Sequence, residues 1–355
     1  MVNDLRWSSS EASKSIEIRL TPGVSVHGTV VDSESGEPIR FAMIQYEPDR
    51  VRNDNLSEGM VQEWQRAKPT NEAGEFQMTV LPGRGTLFVH APNHEYVLRE
   101  MGQRKVYGGD PGGVRLYSHA FANIDAIYGD DLPPFKFELD RGKTVTGALI
   151  DPDGKPVPIA LMISRLLIDP VTPPNPQWRG RSEPVRDGTF RVQGMRPGTE
   201  YPLYFVDTRR QLGATARISS ETTEPSVTLQ PCGTASARFV DQDGHPIAEQ
   251  SFGLQLVVTA GPPKLMRLPD QGRELLADED LYANCISSRT YRRVDGATHE
   301  MSMTDREGKA TYNLLIPGAT YRLYRRGVRG REVAAEFTVG PGETRDLGEI
   351  TMAID

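Results

Sequence analysis

Val30-Val31-Asp32-Ser33-Glu34-Ser35-Gly36-Glu37-Pro38-Ile39 decides the fold, because the chain writes its grammar three times. An alternating apolar run ends in an acidic Gly turn. That turn returns as Asp151-Pro152-Asp153-Gly154-Lys155-Pro156 and as Asp241-Gln242-Asp243-Gly244-His245-Pro246. A second Gly turn follows each copy: Asn71-Glu72-Ala73-Gly74, Arg186-Asp187-Gly188 and Asp305-Arg306-Glu307-Gly308. A corner then closes the phrase, at Leu81-Pro82-Gly83, Arg196-Pro197-Gly198 and Ile316-Pro317-Gly318. A unit that carries its own turns and its own core strands is a small β-module, so the sequence predicts three in tandem.

The recurring residues have mechanical reasons. Asp at the head of a turn accepts backbone N–H bonds. Gly takes a left-handed conformation that costs other residues about 1 kcal/mol or more. Pro two places on lacks an N–H and suits a strand's first residue or an edge. Gly36, Gly74, Gly83, Gly154, Gly188, Gly198, Gly244, Gly308 and Gly318 are therefore expected to be structural turn residues.

A length of 355 residues holds three such modules. The expected division is a polar leader (1–14), a first sandwich (15–134), a second (135–230) and a third, more divergent one (231–355). In the first, Ile16, Ile18 and Leu20, then Val24, Val26 and Val30, alternate around Pro22-Gly23 as two short strands. Phe76, Met78 and Val80, then Thr86, Phe88 and His90, read as a hairpin around the Pro82-Gly83 corner. Met60, Val61 and Trp64 suggest a helical turn, and Glu274–Tyr282 a short helix. Three excursions interrupt the strands: 99–134, a Pro-rich stretch at 170–177, and 261–300. Ordered long loops cost entropy and are either functional or seals, and the apolar content after Val114 implies that the first packs back on a body. The fold expected is all-β: three tandem antiparallel sandwiches whose inner faces bury alternate side chains.

Charge and composition narrow the function classes. Hydrophobic residues make up 37% and charged ones 25%, which fits globular modules with broad wet surfaces. Net charge is -7 with arginines scattered among acids, which argues against a nucleic-acid surface; Arg325, Arg326, Arg329 and Arg331 read as a solvated strand rim. No run of apolar residues is long enough to span a membrane, and no secretory signal stands at the N-terminus. Cys232 and Cys285 could bridge or stay free, and spacing does not choose between them.

Gly28-Thr29-Val30-Val31-Asp32 through Gly36-Glu37-Pro38-Ile39, with Gly74-Glu75-Phe76 and Leu81-Pro82-Gly83, resembles the carboxypeptidase regulatory-like domain, a transthyretin-like (prealbumin-like) sandwich. Gly147-Ala148-Leu149-Ile150-Asp151 through Val157, with Gly188-Thr189-Phe190 and Arg196-Pro197-Gly198, matches equally well. In the third copy Ser236 stands for the early glycine and Lys309-Ala310 for the residues after the turn. The three copies cover nearly the whole chain after residue 15. The resemblance implies a Greek-key sandwich and a module of bacterial envelope or surface proteins, used for folding, spacing, adhesion or sometimes carbohydrate binding. It also implies a periplasmic or cell-envelope setting. A His-x-x-Glu zinc pair is absent, so carboxypeptidase chemistry does not carry over.

Candidate sites are sparse. His90, His94 and His119 could meet only through an unusual loop, because Ala91-Pro92-Asn93 precludes helical spacing. Asp151-Pro152-Asp153-Gly154 puts Gly too early for a calcium loop and reads as a turn. Gly108–Gly113 includes Pro111 and lacks a following Lys-Ser/Thr, so it is no phosphate cradle. No nucleophile elbow or Cys–His frame occurs, and Asp130-Asp131 or Asp278 with Asp280 read as solvated loop charge. No catalytic, metal or cofactor site is expected. The aromatics Tyr107, Tyr117, Phe121, Tyr128 and Trp178 form either packed lids or an exposed platform for a sugar or extended peptide. The chain thus reads as a non-catalytic structural or protein-interaction segment with a protein or glycan partner. Alternatives are a carbohydrate-binding array and a hydrolase accessory region. Free sheet edges would permit strand addition.

Overall fold

The computed structural model describes residues 22–56, 67–102, 106, 115–164, 166, 181–257, 265–267, 274–276, 285–287, 303–327 and 330–352. Module 1 contains β1 (Val24–Asp32), β2 (Met43–Pro48), β3 (Lys68–Pro69), β4 (Glu75–Val80), β5 (Gly83–His90), β6 (Arg99–Gly102), β7 (Arg115–Ser118), β8 (Ala120–Ala126) and β9 (Phe135–Leu139). Module 2 contains β10 (Lys143–Ile150), β11 (Ile159–Ser164), β12 (Arg181–Arg186), β13 (Thr189–Met195), β14 (Glu200–Asp207), β15 (Leu212–Ser219) and β16 (Ser226–Thr228), and β17 (Gln230–Pro231) leads out of it. Module 3 contains β18 (Gly233–Val240), β19 (Gly253–Val257), β20 (Leu265–Arg267), β21 (Glu274–Leu276), β22 (Cys285–Ser287), β23 (Lys309–Leu315), β24 (Thr320–Gly327), β25 (Gly330–Thr338) and β26 (Thr344–Thr351). The chain is all-β, in three tandem sandwiches. The chain divides into two compact units, one made mostly of residues up to Arg141, which hold module 1, and the other mostly of residues from Gly142 on, which hold modules 2 and 3.

All three modules share a plan of three strands facing four. The three-stranded layers run β4-β1-β9, β13-β10-β16 and β23-β18-β26; the four-stranded ones run β3-β2-β5-β8, β12-β11-β14-β15 and β22-β19-β24-β25. In module 2 the layers join through the tight Arg186-Asp187-Gly188-Thr189 hairpin. Asp187 and Gly188 both have positive φ there, the geometry a two-residue hairpin turn requires. Alternate side chains of the layers interdigitate into separate cores, around Val26, Ile44, Leu87 and Phe137 in module 1 and around Leu149, Met162, Phe190 and Phe205 in module 2.

Several expectations change. Each closing strand runs parallel to its module's first strand, β9 to β1, β16 to β10 and β26 to β18, so the three-stranded layers are mixed. Alternation reports which face is buried but not strand direction. Phe135–Leu139 therefore completes module 1 and does not open module 2, and the Tyr96↔Arg141 bridge seals that end. The Pro-Gly corner is not a hairpin. β4 and β5 lie in different layers, and the positive φ of Gly83, Gly198 and Gly318 carries the chain across. Glu274–Leu276 is a strand paired with β20, since a neighbouring strand satisfies its backbone groups; the remainder of that expected helix, the helical turn at 60–64 and the leader with Ile16 to Leu20 lie outside the described residues. Ala120–Ala126, expected within an excursion, is a core sheet strand against β5.

Register also relocates the divergence of module 3. Gly28 faces Phe76 and Gly147 faces Phe190, and a Cβ at either glycine would lie under 3 Å from the opposing ring. The corresponding pair is Ala237 with Ala310, so Ala237 and not Ser236 replaces the early glycine. The lost ring is offset nearby: Phe239, where modules 1 and 2 have Val30 and Leu149, stacks on Phe252.

Candidate functional site

The three acidic turns provide a controlled series. Asp32 Oδ1 accepts from the Glu34 and Ser35 amides, and Asp151 and Asp241 cap their own turns in the same way. The second oxygen differs. Asp32 Oδ2 is buried and accepts from Tyr96 Oη at 3.2 Å and from Arg141 Nε at 2.5 Å. Burial would raise this carboxyl, but the Ser35 and Glu34 amides and the Arg141 guanidinium outweigh it and bring it down to about 2. Asp151 Oδ2 accepts from Arg210 Nη1. Asp241 Oδ2 faces His245 across an exposed turn. Asp241, Asp243 and His245 place one donor atom each within 4.8 Å, yet Asp241 Oδ1 is already engaged by two turn amides.

The outward face of the four-stranded layer in module 1 is the most unusual surface among the described residues. β2, β5 and β8 align Met43 with His90, Gln45 with Phe88 and Phe121, Glu47 with Thr86 and Asn123, and Arg84 with Asp125. These positions alternate with the core positions Ile44, Leu87, Val89 and Ile124, so they point away from the core. Gln45, Glu47, Thr86, Phe88 and His90 are nevertheless all buried. Gln45 Nε2 donates to Glu47 Oε1 at 2.8 Å, and Phe121 meets Phe88 edge-on. His90 and His119 stand ring to ring at 6.5 Å, and the Ala91 amide donates to His119 Nδ1. Burial pushes His90 down to about 4 and His119 to about 3, so both are neutral imidazoles.

At the Arg84 end this face opens into a cleft of about 690 Å³ lined by Asp49, Arg52, Arg84, Thr86, Val106, Asn123 and Asp125 among others. One wall is rigid: Asp49 Oδ1 accepts from the Val51 and Arg52 amides, and Oδ2 from Arg52 Nε at 2.6 Å. Asn53 Nδ2 bolts that loop to the Arg84 carbonyl. The opposite wall is loose. Arg84 Nε lies 3.4 Å from Asp125 Oδ2, and both side chains are more than half exposed.

The expected aromatic platform is not assembled from the described residues. Tyr117 is buried, Phe121 is half-buried against Phe88, and Tyr128 is exposed beside Ile127. Tyr107 and Trp178 lie outside the described residues. A buried ring cannot stack on a sugar in solvent, which removes Tyr117 from the platform. His94 does not join His90 and His119 in a metal-sized cluster among the described residues. The cleft escaped sequence reasoning because its residues come from separate stretches, Asp49 and Arg52, Arg84 to Thr86, and Asn123 to Asp125 within the expected 99–134 excursion, which only the alignment of β2, β5 and β8 brings together. The free thiol of Cys232 is half-buried, and burial with the nearby Asp207 pushes it up to about 12.

No protein family and no curated protein matches this sequence. Among solved structures, the Bacillus anthracis TIE protein is 12% identical with a TM-score of 0.23; the alignment covers 93% of this chain and 51% of that one. This chain thus spans about half its length. A streptococcal ancillary pilin is 10% identical over 94% of this chain and 100% of its own, with a TM-score of 0.22. The shaft pilin SpaA from Lactobacillus rhamnosus GG is 11% identical over 94% and 98%, with a TM-score of 0.19. Scores this low carry no argument about function.

Proposed function

We propose that this chain is a non-catalytic structural and protein-interaction segment, in which modules 2 and 3 hold a fixed spacing and the sheets present surfaces to a partner. The junction between modules 2 and 3 carries the reading. No free linker separates them: Leu229 is buried in module 2, Gln230–Pro231 pairs with Leu212–Gly213, and the Cys232 amide donates to the Gln211 carbonyl at 2.7 Å. Further bonds cross the boundary. Tyr204 Oη donates to the Val257 carbonyl at 3.1 Å, Thr215 Oγ1 to the Pro317 carbonyl at 2.9 Å, and the Gly342 amide to the Pro231 carbonyl at 2.9 Å. A connection that doubles as a sheet strand transmits load without hinging, which suits a spacer.

The titratable groups fit the same reading. The shifted carboxyls cap turns and the shifted histidines are sealed inside, whereas a catalytic set needs such groups converging in an open cleft. No observation favours the glycan reading. Calorimetry of the full chain tests the proposal: modules 2 and 3 melt as one transition, and Tyr204→Phe with Thr215→Ala splits it. Independent melting of the two modules in the parent would overturn the coupling.

A further inference from the structure

We propose that the free edge of β8, with the cleft beside it, is a docking site for an extended peptide segment of another protein, which adds to the four-stranded layer of module 1 as a fifth strand. This deepens the interaction role proposed above and rests on it, but it can fail while the spacer role of modules 2 and 3 stands.

Three observations converge on an extended polypeptide. First, β8 is the last strand of its layer, and no strand pairs with its outer side among the described residues. Its counterpart in module 2, β15, already receives such a guest at its start. There the chain lays its own Gln230–Pro231 antiparallel against Leu212–Gly213. Second, the cleft on the outward face reaches β8, with Asn123, Ile124 and Asp125 among its lining residues. Its volume of about 690 Å³ falls within the usual range for ligand clefts, and it offers an amide, a hydroxyl, an aliphatic contact and charges of both signs.

Third, the two ion pairs of the cleft differ in how readily they exchange. Arg52 is held by a buried Asp49 through two contacts. Arg84 and Asp125 meet through one long contact and remain largely in solvent. A guest strand with an acidic and a basic side chain on the same face takes over these two partners, while its alternate apolar residues continue the core face of Ala122, Ile124 and Ala126. Ile127 and Tyr128, exposed just beyond β8, extend the apolar contact at one end. The recognised chemistry is therefore backbone first, then alternating apolar and oppositely charged side chains.

The experiment selects a phage-displayed library of short random peptides against the full chain, then measures the enriched peptides by calorimetry. Enriched peptides are expected to alternate apolar with charged residues, and N-methylation of their outward amides should abolish binding. The swap Arg84→Glu with Asp125→Arg keeps the internal pair but reverses its polarity, so it should weaken the selected peptides about tenfold and, on reselection, invert their charges. Hydrogen exchange should slow at residues 120–126 on binding, which a distant site would not cause. The proposal is overturned if no peptide is enriched, if N-methylated peptides bind equally well, or if the swap leaves affinity unchanged. It is also overturned if the chain self-associates in sedimentation and the swap abolishes that, for then a second copy occupies the edge.

Discussion

The two layers of each module have the same strand chemistry and different surroundings. In the three-stranded layers burial alternates residue by residue, as in β4, where Phe76, Met78 and Val80 are buried and their neighbours exposed. In the four-stranded layers it does not: β5 is buried continuously from Gly85 to His90, β14 from Leu203 to Asp207 and β19 from Leu254 to Val257. One layer has a core face and a water face, and the other is dry on both faces over the middle of strands such as β5, while Arg84, Asn123 and Asp125 at one end stay exposed. Outward polar residues there, such as Gln45 and Glu47, pay a desolvation cost that their counterparts Gln77 and Thr79 on β4 escape.

The largest expected effect would break this contrast directly. Phe88→Ala, on the outward side of β5, should destabilise module 1 by about 3 kcal/mol, as a core truncation does. Gln77→Ala, on the outward side of β4, should stay within about 0.5 kcal/mol. Urea unfolding of both variants gives the comparison, and similar small losses would show that the outer face is wet.

Next comes the one carboxylate that the three-stranded layer of module 1 buries. Asp32→Ala removes an acceptor for two amides, Tyr96 and Arg141, and should cost about 2 kcal/mol by the same assay. Asp241→Ala removes a solvated cap and should cost clearly less.

Acid should separate the layers again. His90 and His119 have folded values depressed below the ordinary 6.5, so the unfolded chain binds more protons as pH falls from there toward about 4 and 3. Stability is full above 6.5 and declines through that window. Asp32, depressed from 3.8 to about 2, withdraws its contribution only below pH 4. Urea midpoints of module 1 should therefore fall in two stages, and His90→Gln should flatten the first. A flat profile from pH 7 to 5 in the parent would contradict the burial of both rings.

The smallest effect is expected on the wet face of the three-stranded layer. Lys136→Ala breaks a pair with Glu138 whose partners are both more than half exposed, and the change should stay within about 0.5 kcal/mol.

Fold class, turn positions and the threefold grammar were legible because they are local. Alternation, an Asp that caps its own turn and a Gly with positive φ act over a few residues, and each of Gly36, Gly154 and Gly244 has that geometry. The parallel direction of β9, the layer change at each Pro-Gly corner and the pairing of Ala237 with Ala310 join residues distant in sequence, and no local preference encodes such partners. The cleft belongs to the same class. Asp49, Arg84 and Asp125 stand at a strand end, at the Pro-Gly corner and in the expected 99–134 excursion, and only the alignment of β2, β5 and β8 brings them together. The sequence by itself determined three β-modules and their turns, because short-range sterics suffice for those. Only tertiary structure decided which strands pair, which sheet face stays dry and where a polar cleft opens, because each depends on contacts between segments far apart along the chain.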